Sequence, residues 1–277
     1  MPVLRAGASG QGMKTWKSKD AARHLLEAHA RRRRFEPLPD GLAPHSAEEA
    51  YGIQDAFVAL RAQSRGAVTG YKIALASEEM RRFVGVDQPQ AGAMHLSTLK
   101  QSPARVKASD YVHLIVEFEI AVQLATDLPA ADRPYFRERV AKAIGAVMPA
   151  IELADDRDAD YSRLPGYPLE LIADNTWSEG AVFGLPVKEW KHLDLAAVRG
   201  VAKINGETVG EGIGAAAMGH PFDAVAWVAD NLATRGRGLL RGDVVITGSL
   251  ITSKHVKPGD RVEFTLEGLG AVELVVE

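Results

Sequence analysis

The sequence predicts an α+β fold: a mixed, β-rich core with peripheral helices and a small helical N-terminal region. Three observations predict it. The N-terminal quarter carries apolar residues at helical spacing, with Ala22, Leu25, Leu26 and His29 in one stripe and Ala50, Ile53, Phe57 and Leu60 in a second. Residues 112–124, VHLIVEFEIAVQL, alternate between two faces as a strand does. The last third is a series of short apolar runs, one of them folded around Asn205-Gly206, a strong hairpin turn.

In chain order, residues 1–12 read as a loose leader with no apolar signal-peptide centre, and Met13 is an alternative start. A helical lobe follows over 13–65. Its first helix spans about 18–34 with Ser18 as N-cap, and ends in four arginines that read as a solvated helix end rather than a phosphate site. The second opens on the capping box Ser46-Ala-Glu-Glu49. The β-rich domain takes 66–277. It begins with a strand at 70–75, a short helix capped by Ser77, and a turn at 86–89. A helix from about Asp132 to Ile144, a strand at 148–153 and an acidic irregular stretch from Asp155 to Asp160 come next. Gly210, Gly212, Gly214 and Gly219 read as a flexible run, and 221–234 as an amphipathic helix with proline at its first position. Strands at 244–250, 262–266 and 271–276 close the chain.

The composition narrows the function. With 277 residues, 46% hydrophobic and 25% charged, the chain has the make-up of a globular protein. A formal net charge of -3 gives no global attraction to nucleic acid or anionic membranes. The absence of cysteine removes disulfides, thiolate metal sites and cysteine nucleophiles, and fits a reducing, cytoplasmic setting. Gly212-Ile-Gly214 is not a dinucleotide fingerprint, because it follows a hairpin instead of opening a βαβ unit.

The chemistry centres on the 112–124 strand. Glu117 and Glu119 project from one face with Cα atoms ~6.6 Å apart. Two like charges on a core-type strand are costly unless a cation sits between them. With no H-x-x-x-H pair, oxygen ligands remain, and these suit Mg²⁺ or Mn²⁺. Glu152 is the best third carboxylate and Asp155 the next. Lys72, mid-strand in GYKIALAS, is either a snorkelling edge lysine or a desolvated cation beside a bound anion.

These segments in this order resemble the fumarylacetoacetate hydrolase superfamily, most closely its branch of 2-keto-4-pentenoate hydratases and 4-oxalocrotonate decarboxylases. The matching stretches are GYKIALAS (70–77), GVDQP (85–89), VEFEIAVQLATDL (116–128), MPAIELADDR (148–157), ADN (173–175), GHPFDAVAWVADNLATRG (219–236) and GDVVITGSL (242–250). The resemblance implies a mixed β-roll, Mg²⁺ or Mn²⁺ held by Glu117, Glu119 and Glu152, and Lys72 and Asp87 at the reacting end of the substrate. Ser178 and Ser249 are implied pocket residues. Where the branch has small residues after Asp-Asn, this chain has Thr176 and Trp177. An inward Trp177 shortens the pocket; an outward one is a subunit contact. The resemblance implies a hydratase of short 2-hydroxy-2,4-dienoates in aromatic breakdown. The alternatives are a 2-oxo-enedioate decarboxylase, an acylpyruvate hydrolase using His95, His113 or His220, and a non-catalytic subunit. Expected partners are a small unsaturated acid, further copies of the chain, and a decarboxylase or aldolase of the same pathway.

Overall fold

The computed structural model describes the backbone of residues 10–277 and the side chains from Lys17 onward. The leader reading for 1–9 lies outside the described residues. Six α-helices are described: α1 (Gly10–Ala30), α2 (Ala47–Arg65), α3 (Glu78–Val84), α4 (Arg137–Ala143), α5 (Pro168–Ala173) and α6 (Pro221–Ala233). The first seven strands are β1 (Val68–Ala74), β2 (Gln90–His95), β3 (Leu99–Gln101), β4 (Ala104–Val106), β5 (Leu114–Leu124), β6 (Ile144–Asp155) and β7 (Ser178–Phe183). The remaining six are β8 (Arg199–Ile204), β9 (Glu207–Ile213), β10 (Val244–Ser249), β11 (Lys254–His255), β12 (Arg261–Leu266) and β13 (Gly270–Val276).

Two sheets form the expected α+β, mixed architecture. The larger runs β2-β1-β10-β5-β6-β7-β3, with β11 also paired to β5, and the smaller runs β4-β13-β12-β8-β9. Strands β1 and β10 are parallel, whereas β10–β5 and β5–β6 are antiparallel. The even-numbered face of β5, Val116, Phe118, Ile120 and Val122, joins Val262, Phe264, Val272 and Leu274 of the smaller sheet in the principal core. Phe118 and Phe264 meet there with ring centroids 5.4 Å apart. The odd-numbered face therefore carries Glu117 and Glu119 away from that core. A one-residue slip would exchange the two faces, so burial of the apolar set fixes the register that positions the site.

Several local expectations change. Ser18 is not an N-cap, because α1 begins at Gly10 and runs through it. The chain leaves α1 where Arg32 takes a left-handed φ of 48°. The helix expected from Asp132 starts only at Arg137, since Arg133 before Pro134 is extended, the conformation a following proline imposes. The glycine run is ordered: Gly210 and Gly212 lie in β9, and Gly214 opens a 3-10 turn after it. A Cβ on Gly212 would lie 2.1 Å from Leu250 O, and one on Gly214 1.9 Å from Leu195 O, so these glycines permit close backbone packing. Ser46 does cap α2 by accepting from Glu49 N, while Glu49 Oε2 accepts from His45 N.

A carboxylate cluster with a buried lysine

Glu117 and Glu152 are direct partners across the β5–β6 ladder, and Glu119 lies two rungs further along, on the same face. One carboxylate oxygen from each lies within 4.8 Å of the others. Glu119 and Glu152 are fully buried and Glu117 is partly exposed. Asp155, the runner-up, is not in this group; its carboxylate accepts from the amides of Val112 and His113.

The arrangement leaves polar atoms unanswered. Glu119 Oε2 accepts from Gly248 N at 2.6 Å, but Glu119 Oε1 and Glu152 Oε2 are buried without a hydrogen-bond partner. Burial, and then the neighbouring carboxylates, push Glu119 well above the usual carboxyl range. Burial likewise raises Glu152, to about 7, although Lys72 opposes the rise. Clustered buried carboxylates with free oxygens are the donor set that a hard divalent cation would satisfy.

Lys72 is buried, with Nζ 2.7 Å from Glu152 Oε1 and donating to Thr176 O at 3.2 Å. Burial alone would lower its ammonium, but Glu152, Glu117 and Glu119 outweigh burial and raise it. It is not a snorkelling lysine. Its carbonyl partner belongs to a tight left-handed turn in which Asn175, Thr176 and Trp177 have φ of 53°, 49° and 60°. Three consecutive non-glycine residues in that region are strained, and such strain persists only where surroundings enforce it. Here Asn175 exchanges hydrogen bonds with both backbone groups of Ala93. Gly92 permits the approach, because a Cβ there would stand 2.5 Å from Thr176 Oγ1 and 3.0 Å from Lys72 Cγ.

A buried charge network anchors the same turn to the N-terminal helices. His29 Nε2 lies 2.6 Å from Asp174 Oδ1 and its Nδ1 3.5 Å from Glu179 Oε1. Arg157 pairs with Asp174, and Arg61 with Glu179 at 2.5 Å. Burial would raise Glu179, but Arg61 and His29 hold it at about 2.

The other expected site residues fall as follows. Trp177 points inward, packed with Phe35, Ile115, Ala154 and Leu171, and meets Phe35 and Tyr161 edge-on. Ile115 and Ala154 are two residues from Glu117 and Glu152 on the same face, so the apolar cluster that holds Trp177 adjoins the glutamates. Its Nε1 and the Ser178 hydroxyl are buried without partners. Ser249 spends its hydroxyl on the sheet, accepting from Phe118 N and donating to Ile251 O where β10 bulges. Asp87 is exposed in the turn after α3, and among the described residues no bond joins it to the carboxylates. His95 bonds Val58 O, and His220 caps α6.

Sequence reasoning missed Gly248, whose amide reaches Glu119 only through the bulge, and the Thr176 carbonyl. It also missed the His29–Asp174 pair, 145 residues apart. The ADN stretch was the one sequence signal for the last.

A buried acidic cluster with a lysine against it, on a two-sheet α+β fold, defines a class of proteins with a pocket suited to a hard cation. The chain belongs to the fumarylacetoacetate hydrolase family: the family's C-terminal domain matches residues 57–277. It is 34% identical to 2-keto-4-pentenoate hydratase of Burkholderia vietnamiensis over 91% of this chain and 94% of that one. It is 32% identical to 2-hydroxyhexa-2,4-dienoate hydratase of Comamonas testosteroni over 90% and 94% of the two chains. Among solved structures it resembles 4-oxalocrotonate decarboxylase from Pseudomonas putida G7, complexed with magnesium and adipate. The TM-score is 0.85 and the identity 27%, over 94% of this chain and 97% of that one.

Proposed function

We propose that the chain is a divalent-metal-dependent hydro-lyase that hydrates a short 2-hydroxy-2,4-dienoate, of the 2-keto-4-pentenoate class, to a 4-hydroxy-2-oxo acid. The observation that carries this reading is the convergence of Glu117, Glu119 and Glu152 beside Lys72 in a chain whose relatives include such hydratases. The three glutamates would hold Mg²⁺ or Mn²⁺. When bound, the ion supplies a Lewis acid for the carboxylate and 2-oxygen end of the substrate.

The chain's residues supply the rest. Three carboxylates and a dication sum to -1, and the Lys72 ammonium brings the site to neutrality before an anionic acid enters. Lys72 also offers a proton donor at the reacting end. Asp87 is the second acid–base candidate; its neighbour Val86 packs against the Trp177 cluster. The Ser178 hydroxyl and Trp177 Nε1–H are unspent donors for substrate oxygens.

The hydratase reading is favoured over decarboxylation of an enedioate by the state of the cations. A second carboxylate in an apolar pocket needs a partner. Among the described residues the buried cations are Arg61, Lys72 and Arg157, and the two arginines are already paired with Glu179 and Asp174. The test is a comparison of kcat/KM for the five-carbon monoacid and the six-carbon 2-oxo-enedioate, with products identified. Preference for the monoacid with water added supports the proposal; CO₂ release from the diacid as the main reaction refutes it.

A further inference from the structure

We propose a second cation site, built from His113, Asp156 and His255, that takes a borderline transition-metal ion such as Zn²⁺ rather than Mg²⁺. The sheet register assembles it. Leu114 pairs with Asp155 in the β5–β6 ladder, which sets His113 opposite Asp156 on the next rung. Strand β11 pairs with the other edge of β5 and brings His255 opposite Ile115. Three adjacent strands thus bring one residue each together, His113 just before β5, Asp156 just after β6 and His255 in β11. His113 and Asp156 lie four residues from Glu117 and Glu152, one residue beyond the ends of β5 and β6, so the second group stands ~13 Å from the first.

A ring nitrogen of each histidine and a carboxylate oxygen of Asp156 lie within 4.8 Å of one another. The imidazoles stack with centroids 4.3 Å apart and planes at 20°. His113 Nδ1 is 2.8 Å from Asp156 Oδ1. Ligand atoms on a tetrahedral zinc ion are about 3.3 Å apart, given bonds of ~2.0–2.2 Å, so binding would draw the three atoms together by an ångström or so and turn the imidazoles out of their stack.

Asp156 is built as a ligand support. It is fully buried, Oδ1 accepts from Asp158 N at 2.9 Å, and Oδ2 accepts from the Tyr161 hydroxyl at 3.0 Å. No lysine or arginine pairs with it among the described residues, so its compensation must come from His113 or a bound cation. Both histidines are partly or fully exposed, which leaves access and a position for water. Two nitrogens and one carboxylate suit Zn²⁺, Co²⁺ or Ni²⁺, whereas the all-oxygen cluster suits Mg²⁺. The two sites on one sheet face therefore differ in ligand chemistry.

The test is calorimetric titration of ZnCl₂ into tag-free, chelator-stripped full-length protein held in excess Mg²⁺. One equivalent of Zn²⁺ is expected to bind, at least tenfold more weakly in His255→Ala and in His113→Ala, and unchanged in Glu119→Gln. Co²⁺ at the site should give a visible absorption band that His255→Ala loses. Zn²⁺ binding that survives both histidine substitutions, is lost in Glu119→Gln, or is absent in excess Mg²⁺ would overturn the proposal. No arm of the test depends on turnover, so it stands or falls separately from the hydratase reading.

Discussion

The Lys72 ammonium lies 2.7 Å from Glu152 Oε1, and Glu152 is also the cross-strand partner of Glu117. The lysine therefore shares a carboxylate with the proposed cation site and cannot be altered without changing the charge balance there. Lys72→Met should lower kcat on the order of 10²-fold or more while KM changes only a few-fold, because its charge acts mainly in the transition state. Steady-state kinetics with matched Mg²⁺ titrations check this. An equal loss of Mg²⁺ affinity would make Lys72 a residue that builds the site instead.

Glu119→Gln should remove metal-dependent turnover and leave the fold intact. A glutamine oxygen can still accept from Gly248 N, and one repelling charge is gone from the cluster. The melting temperature of the metal-free variant should equal or exceed that of the metal-free parent. A collapse in stability would show that the carboxylate serves the fold.

The pH dependence follows from burial. Glu152 is raised to about 7 and Glu119 is also raised, so the folded, metal-free protein retains protons that the unfolded chain releases near 4.5. Its stability should fall as pH rises from about 4.5 to about 7. Mg²⁺ needs the deprotonated carboxylates, so its affinity should rise over the same window. Thermal melts with Mg²⁺ and with EDTA should draw apart from pH 5 to pH 8. A constant gap would contradict the assignment of the carboxylates as ligands.

Trp177 is buried, edge-on to Phe35 and Tyr161, with its Nε1–H unpartnered. Trp177→Ala should cost about 3–5 kcal/mol as a core truncation, and should raise kcat/KM for longer 2-oxo-enoates relative to the five-carbon acid. Trp177→Phe should keep most of the stability while removing the Nε1–H. An unchanged substrate ratio in both variants would separate the indole from the pocket.

His29 acts through the turn. Its imidazole sits between Asp174 and Glu179; burial would lower its pKa, but the two carboxylates raise it. The bond's stabilising contribution should be present below pH 6.5 and lost as pH rises through the raised value. His29→Ala should cost about 2–4 kcal/mol and lower kcat by loosening the Thr176 carbonyl from Lys72. In Lys72→Met, where that contact is already gone, the further effect of His29→Ala on kcat should shrink.

Periodicity made much of the fold legible. The alternation of 112–124 showed which face of β5 is apolar, and the Asn205-Gly206 turn and the Ser46 and Ser77 caps lie where their local chemistry requires. The three glutamates were legible because E-x-E on a core-type strand is costly alone, and because Glu152 lies on the next strand of the ladder. What stayed hidden depends on long-range contact. The close packing of Gly212 and Gly214 is set by Leu250 and Leu195, and the start of α4 by an extended Arg133. The left-handed turn at 175–177 is imposed by Ala93 and Gly92 against the intrinsic preference of Thr and Trp. The role of His29 appears only once α1 lies across Asp174.

Water addition to a short dienoate should depend on a cation at Glu117, Glu119 and Glu152. The most direct measurement is proton NMR of 2-hydroxypenta-2,4-dienoate incubated with chelator-stripped protein, before and after addition of Mg²⁺ or Mn²⁺. The 4-hydroxy-2-oxo acid should form only after the ion is added. Equal formation of that acid with chelator present, or its absence when the ion is restored, would contradict that dependence.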